Sequence, residues 1–168
     1  IDLINEGSSL RRKFVDGILG QVESEYLINI INYSKILAQR NSLLKYFALN
    51  HIFDQKAIDI YNEQLHTLSQ PIHKKRKEFM KVFSPLFAKR YETINNGNEK
   101  VQLNYTSSLD DNNLLEILEG SIKKDRSFQH TTQGIHKDDL DFLIYEKLIK
   151  KFGSQGQKKT FLIALKIA

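Results

Sequence analysis

The sequence has no cysteine, only two prolines and a single methionine in 168 residues. Without cysteine, disulfide scaffolds, thiol catalysis and thiolate metal sites are excluded, which agrees with a reducing cytoplasm, the expected location. No stretch approaches the ~20 apolar residues of a membrane span, and residues 1–5 lack both the basic lead and the long apolar run of an export signal. Internal repeats and low-complexity linkers are also missing. The chain starts without methionine and stops at Ala168 within a helical pattern, so both ends are expected to be cuts.

Forty per cent apolar and 27 per cent charged residues describe a foldable globular chain. Its length suits one compact domain, or a small lobe carrying an arm. Lys and Arg outnumber Asp and Glu by 25 to 20, a mild excess that favours polyanionic partners without naming one.

Apolar periodicity predicts the architecture. Residues 1–5 suggest a strand, and Ser8-Ser9 caps a helix over about 10–19 with Leu10, Phe14 and Ile18 on one face. Tyr26, Ile30, Tyr33, Leu37, Leu44 and Phe47 recur at steps of four and three, broken only by Arg40, which predicts a long helix with a packing seam. A second stripe, Ile58, Tyr61, Leu65, Leu68 and Ile72, resumes at Phe79, Val82 and Leu86. With only about residues 50–54 between them, the two stripes predict an antiparallel hairpin, its second limb kinked or split at Pro71. Beyond a turn at 95–98, Val101, Leu103 and Tyr105 alternate as a strand. Asp110-Asp111 should cap a helix over Leu114, Leu115, Ile117, Leu118 and Ile122, and 140–145 and 148–152 should pair around Glu146-Lys147. The expectation is an α+β, mostly α fold: a lobe over 1–22, a helical arm over 23–95 and a second part of the lobe over 96–168.

Three clusters could carry chemistry. Ser154-Gln155-Gly156-Gln157 follows a predicted strand and opens the last helix, where free amides and the helix dipole favour phosphate and glycine allows close approach. A serine-capped helix without ligand is the alternative. His136, Lys137, Asp138 and Asp139 hold groups suited to acid–base or metal chemistry, against the plainer reading of a turn whose carboxylates cap amides. Lys74, Lys75, Arg76 and Lys77 form either a solvated helix face or a row of phosphate contacts. Lys89, Arg90, Lys123 and Lys124 are weaker candidates of the same kind.

Four segments, in order, resemble the RecF branch of the ABC-type and SMC-like ATPases. Residues 152–160 with 164–168 look like its signature segment, in which Gln155 replaces the first glycine of the broader Ser-Gly-Gly-Gln. Gly134-Ile135-His136-Lys137-Asp138-Asp139-Leu140 is similar to Gly-Pro-His-Arg-Asp-Asp-Leu, Gln39-Arg40-Asn41-Ser42-Leu43-Leu44-Lys45 to Gln-Arg-Asn-x-Leu-Leu-Lys, and Arg11-Arg12-Lys13-Phe14-Val15-Asp16 to Arg-Arg-Arg-Phe-Leu-Asp. Ile135 departs from the family's proline, and Gln129 from a glycine.

The resemblance implies part of an ABC-type ATPase head lobe with an inserted hairpin arm. It also implies an ATP-dependent homodimer that binds DNA at single-strand gaps and duplex junctions, acting with RecR and RecO and, through them, RecA. Ser154, Gln155, Gly156 and Gln157 would contact ATP held by the partner protomer, and His136, Lys137 and Asp138 would support that site. From their charge, Lys74, Lys75, Arg76 and Lys77 are candidate DNA contacts, as are Arg11 and Arg12, which with Arg40 recur in the family pattern and are expected either to reach phosphate or, the favoured reading, to pair with a carboxylate in the lobe. The sequence contains no G-x-x-x-x-G-K-[ST] and no apolar strand ending in paired acids, so ATP and Mg²⁺ are expected as cofactors of a longer protein and the chain alone as inactive. A helical-hairpin interaction module without nucleotide function is the alternative, and the nucleotide-binding subunit of a transporter a third.

Overall fold

A computed structural model of the chain describes residues 2–168. Its helices are α1 (Asp2–Asn5), α2 (Ser8–Val22), α3 (Ser24–Asn50), α4 (Gln55–Asn95), α5 (Leu114–Phe128), α6 (Ile149–Phe152) and α7 (Gln155–Ile167). Strands β1 (Val101–Thr106), β2 (Asp139–Ile144) and β3 (Lys147–Leu148) form an antiparallel sheet in that order, and a 3₁₀ turn spans Ile135–Lys137. The class is α+β, mostly α, as the sequence predicts. The chain divides into two units, one containing residues up to Val15, 76–106 and 139–168, the other 16–75 and 107–138. Two of the divisions fall inside α2 and α4, and the other two fall at the end of β1 and just before β2.

In the all-helical unit, α3 and the first part of α4 make the expected hairpin. Lys75 meets Glu23 at 2.9 Å, Arg40 meets Asn62 at 2.9 Å, and Leu44 and Phe47 cluster with Ile58. One set of numbers rises as the other falls, which only antiparallel limbs allow. Arg40, an interruption of the α3 stripe in the sequence, lies in the seam itself and is completely buried. The buried row on α4 is Ile58, Asn62, Leu65, Ser69, Ile72, Arg76, Met80, Phe83, Phe87 and Tyr91, whereas Val82, expected on the apolar face, is 69 % exposed. Apolarity alone misplaces the face because polar side chains with internal partners occupy parts of it.

In the unit that holds the sheet, β1 and β2 pair from Val101 opposite Ile144 to Thr106 opposite Asp139. Leu140, Phe142 and Ile144 alternate inward from β2, in the period of two of a half-covered strand. Phe161 of α7 packs against Phe87 and Phe142, with ring centroids 4.6 and 5.2 Å apart, so one fully buried ring joins helix, helix and sheet.

Four local expectations are corrected. Residues 2–5, predicted as strand, form α1, in which the Glu6 amide donates to the Asp2 carbonyl, while Ile1 lies outside the described residues. So short an apolar run has no decisive period. Pro71 does not split the second limb, since α4 continues through it. A helix-interior proline costs ~3 kcal/mol, but the fully buried Leu65 and Ile72 flank it, and each such side chain contributes ~1.5–3 kcal/mol. Asn113, not Asp110 or Asp111, caps α5, its side chain accepting from the Leu115 amide. The strand predicted over 148–152 stops at Leu148, because Ile149–Phe152 turns helical and buries Ile149 against the lobe.

Candidate functional site

The predicted signature sits in the sheet-containing unit at the start of α7. Ser154 has extended backbone and its Oγ accepts from the Gln157 amide at 3.1 Å, while Gln157 Oε1 accepts from the Ser154 amide at 2.7 Å. This reciprocal cap satisfies two end donors of the helix. The amides of Gln155 and Gly156, the next positions, have no acceptor one turn back and lie at the solvent surface. Ser154 Oγ still has its own proton to donate. A Cβ at Gly156 would meet only Ser154 Oγ, at 3.8 Å, so the fold itself leaves room for a side chain here. Open amides, a hydroxyl proton, the positive end of a helix and clearance over a glycine are the requirements of an anion site. Lys158 adds positive charge nearby, its Nζ steadied by the Lys150 carbonyl at 3.0 Å.

Gln157 is tied further. Its Nε2 donates to Glu99 Oε1 at 2.6 Å, and the other Glu99 oxygen accepts the Tyr91 hydroxyl. Glu99, 58 residues away in the chain, carries no local pattern that would mark it as part of this site.

The His136 segment belongs to the other unit up to Asp138, and its neighbour Asp139 to the sheet. His136 Nε2 lies 3.0 Å from the Thr131 carbonyl, which can only accept, so Nε2 carries a proton, and Nδ1 shares a hydrogen bond with the Tyr33 hydroxyl at 3.0 Å. Behind it, Arg40 Nη1 donates to Asp125 Oδ2 and to Thr131 Oγ1, both at 2.8 Å, and Nε to Asn62. Asp125 Oδ1 also accepts the Thr132 amide and hydroxyl, and Asn41 Oδ1 those of Thr131. The loop that carries His136 is therefore fastened to α3 by buried polar groups. Gly134 fits this loop for a steric reason: φ is 122°, and a Cβ would come within 2.8 Å of the Tyr33 hydroxyl. Gln129, at the expected glycine position, closes α5 in the left-handed region at φ 56°.

The basic candidates separate by surroundings. Arg11 grips Asp139 with two donors, at 2.9 and 3.0 Å, and donates to the Glu6 carbonyl. Burial alone would raise the Asp139 carboxyl, but the Arg11 hydrogen bonds, the Leu140 amide and the charges of Arg11 and Arg12 together hold it below the usual carboxylate range. Asp141 is pushed up by burial and by the charge of Asp139, against the pull of Arg11. Arg76 is only 2 % exposed and Lys75 pairs with Glu23, whereas Lys74 and Lys77 are exposed. Among the described residues no three His, Asp or Glu side chains gather as a metal site.

Comparison with known proteins agrees along the whole chain. It is 53 % identical over 167 residues, 99 % of its length, to the DNA replication and repair protein RecF of Flavobacterium johnsoniae, and 45 % identical over the same share to that of Azobacteroides pseudotrichonymphae. A solved structure of the recombination mediator protein RecF with ATP, from the RecFOR pathway, superposes with a TM-score of 0.91 at 27 % identity over 99 % of this chain. The corresponding ATPγS structure gives 0.90 at 28 %. No protein-family profile matches. The chain spans about 46 % of the Flavobacterium relative and of the ATP-bound structure.

Proposed function

The chain belongs to the RecF family over the 167 residues that align, and from that premise we propose that it supplies the signature segment of an ATP-dependent DNA-binding protein of replication and recombinational repair. The observation that carries the proposal is the capped start of α7, where the Gln155 and Gly156 amides and the Ser154 hydroxyl remain available above open space. A γ-phosphate suits that donor set. In this reading the ATP is held by the phosphate loop of a second protomer, and Ser154 closes the site from outside, so nucleotide binding drives homodimerisation. Residues of the relatives' length not spanned here would hold Mg²⁺ and orient water. The chemistry supplied by this chain is then charge stabilisation and positioning, the main contributions in phosphoryl transfer.

Lys74 and Lys77 are the exposed members of the basic run and are the proposed DNA contacts, with Arg12 beside the Arg11–Asp139 pair. Arg11 and Arg76 serve the fold. RecR and RecO are proposed partners because the ATP-bound neighbour is described within the RecFOR pathway, and RecA and a cytoplasmic site of action follow from the same reading. No helix among the described residues is long and apolar enough to cross a membrane.

The test is Ser154→Arg in the full-length protein. ATP should still bind each protomer's own phosphate loop, but ATP-dependent dimerisation, followed by sedimentation velocity, should disappear. Unchanged dimerisation would refute the signature role. The second reading, an interaction module, is favoured by one feature of the helical unit: a cleft floored by Leu44, Phe47, Ala48 and Ile52 and edged by His51, Lys123 and Arg126. It predicts that the full-length protein retains partner binding when nucleotide is absent, and loses it when the cleft is filled by Ala48→Trp.

A further inference from the structure

We infer that Glu99 is a positioning residue for the signature, acting through Gln157, an assignment that rests on the ATP-site reading above. The side-chain amide of Gln157 is used at both ends: Oε1 accepts from the Ser154 amide and Nε2 donates to Glu99. Glu99 in turn uses both oxygens, one for Gln157 and one for the Tyr91 hydroxyl. Tyr91 is fully buried, and burial, reinforced by the hydrogen bond and charge of Glu99, raises its hydroxyl far above the ordinary tyrosine value, so it remains a donor. Its ring stands 6.0 Å from Phe161, on the same helix that Ser154 caps. The relay Tyr91–Glu99–Gln157–Ser154 therefore fixes the first turn of α7 against the body of its own unit, at the end where the free amides lie.

The relay has a direction, and the direction accounts for a residue choice. In an ordinary capping box Glu and Gln are interchangeable at the third helical position, because only an acceptor for the cap amide is needed. Here the second atom of that side chain must donate, since a carboxylate faces it. Gln157→Glu would set two acceptor-only groups against each other at a 2.6 Å contact. Exchanging the two residues, Glu99→Gln together with Gln157→Glu, restores the chain of donors with the central bond reversed. The amide placed at position 99 would donate to the carboxylate placed at position 157, and its oxygen would still accept from Tyr91.

The experiment measures ATP turnover in the full-length protein for Gln157→Glu, Glu99→Gln and the exchange double variant, with thermal melting to verify folding. Loss of a hydrogen bond to a charged group corresponds to about a 10-fold change or more, so Gln157→Glu should lower turnover by about that factor and the exchange should recover most of it. Wild-type turnover in Gln157→Glu, or an exchange variant no better than Gln157→Glu, overturns the relay. Mixing Gln157→Glu with a variant whose own site binds ATP but cannot hydrolyse it tests that it acts across the dimer. About a quarter of wild-type turnover should return, because half of randomly formed dimers are mixed and each retains one intact site of two. No recovery overturns the relay's action in trans. Ser154→Arg, mixed in the same way, decides the underlying reading separately: if it leaves turnover unchanged the signature role fails and the relay's function with it, and if it is rescued while Gln157→Glu is not, only the relay fails.

Discussion

The two units treat polar groups in opposite ways. Around Arg40 in the helical unit, Asn62, Asp125 and Thr131 accept from the guanidinium Nε and Nη1, and the part-buried Thr132 and Asn41 extend the set. Among the buried side-chain atoms of this set only Arg40 Nη2 is left without a partner within the described residues. At the start of α7 only half of the donors are used internally, and the amides of Gln155 and Gly156 with the Ser154 proton face outward. The first set of polar groups holds a loop in place, and the second leaves donors at the surface, where the proposed γ-phosphate would sit. The contrast sets His136, which resembles a chemical residue in the sequence, apart from Ser154, because both His136 nitrogens are already engaged within the fold.

Breaking the Arg40 network should give the largest effect. Arg40→Ala leaves Asp125 buried without its cation and should cost ~3–5 kcal/mol, seen in urea as a large fall in midpoint for the whole chain. If the loss stays below ~1 kcal/mol, the network is not what fastens the loop.

The Arg11–Asp139 pair predicts the next effect, of about 1 kcal/mol for a part-exposed bidentate pair, with a definite sign in pH. Because the folded state lowers the Asp139 value, its stabilisation is complete above the unfolded carboxylate range and is lost as pH falls through the lowered value. Asp141 is raised, so its penalty applies at neutral pH and is relieved as pH falls through the raised value. Asp139→Asn should therefore lower neutral stability and flatten the acid limb, while Asp141→Asn should raise neutral stability. Denaturant midpoints from pH 3 to pH 7 would check both, and identical profiles for the two variants would contradict the assignment.

Ser154→Ala sharpens the comparison at the open end. Loss of a cap costs ~1 kcal/mol of stability, yet ATP-driven dimerisation of the full-length protein should fall well beyond what so small a loss explains. The smallest change should be a gain. Gln129→Gly removes the left-handed strain of a residue with a Cβ and should stabilise by ~0.5–1 kcal/mol in thermal or urea unfolding.

Much of this is legible in the sequence wherever a pattern repeats. The stripe through Tyr26, Tyr33, Leu44 and Phe47 locates α3, the alternation at 101–105 locates β1, and Ser154 identifies the cap of α7. The misses have a common origin in contacts that no local window contains. Arg40 looks like an interruption because its carboxylate lies 85 residues away, and Glu99 escapes notice because its amide partner is 58 residues on. Pro71 carries too much weight in the sequence because helix propensity is local whereas the burial that overrides it is not. The left-handed Tyr145 and Glu146 that turn β2 into β3 lack the usual glycine or asparagine, so the sequence pattern places the hairpin one residue late and overextends its second strand.

Those long separations also set a timetable. At 5–20 residues per second of synthesis, Arg11 leaves the ribosome on the order of 10 s before Asp139, 128 residues later, and Arg40 precedes Asp125 by only somewhat less. The α3–α4 hairpin can zip locally in that interval, but it does so around an arginine whose counter-charge has not yet been made. A nascent chain that pauses before residue 125 would expose this seam, and chaperone capture or proteolysis there would limit yield before the finished protein's stability did.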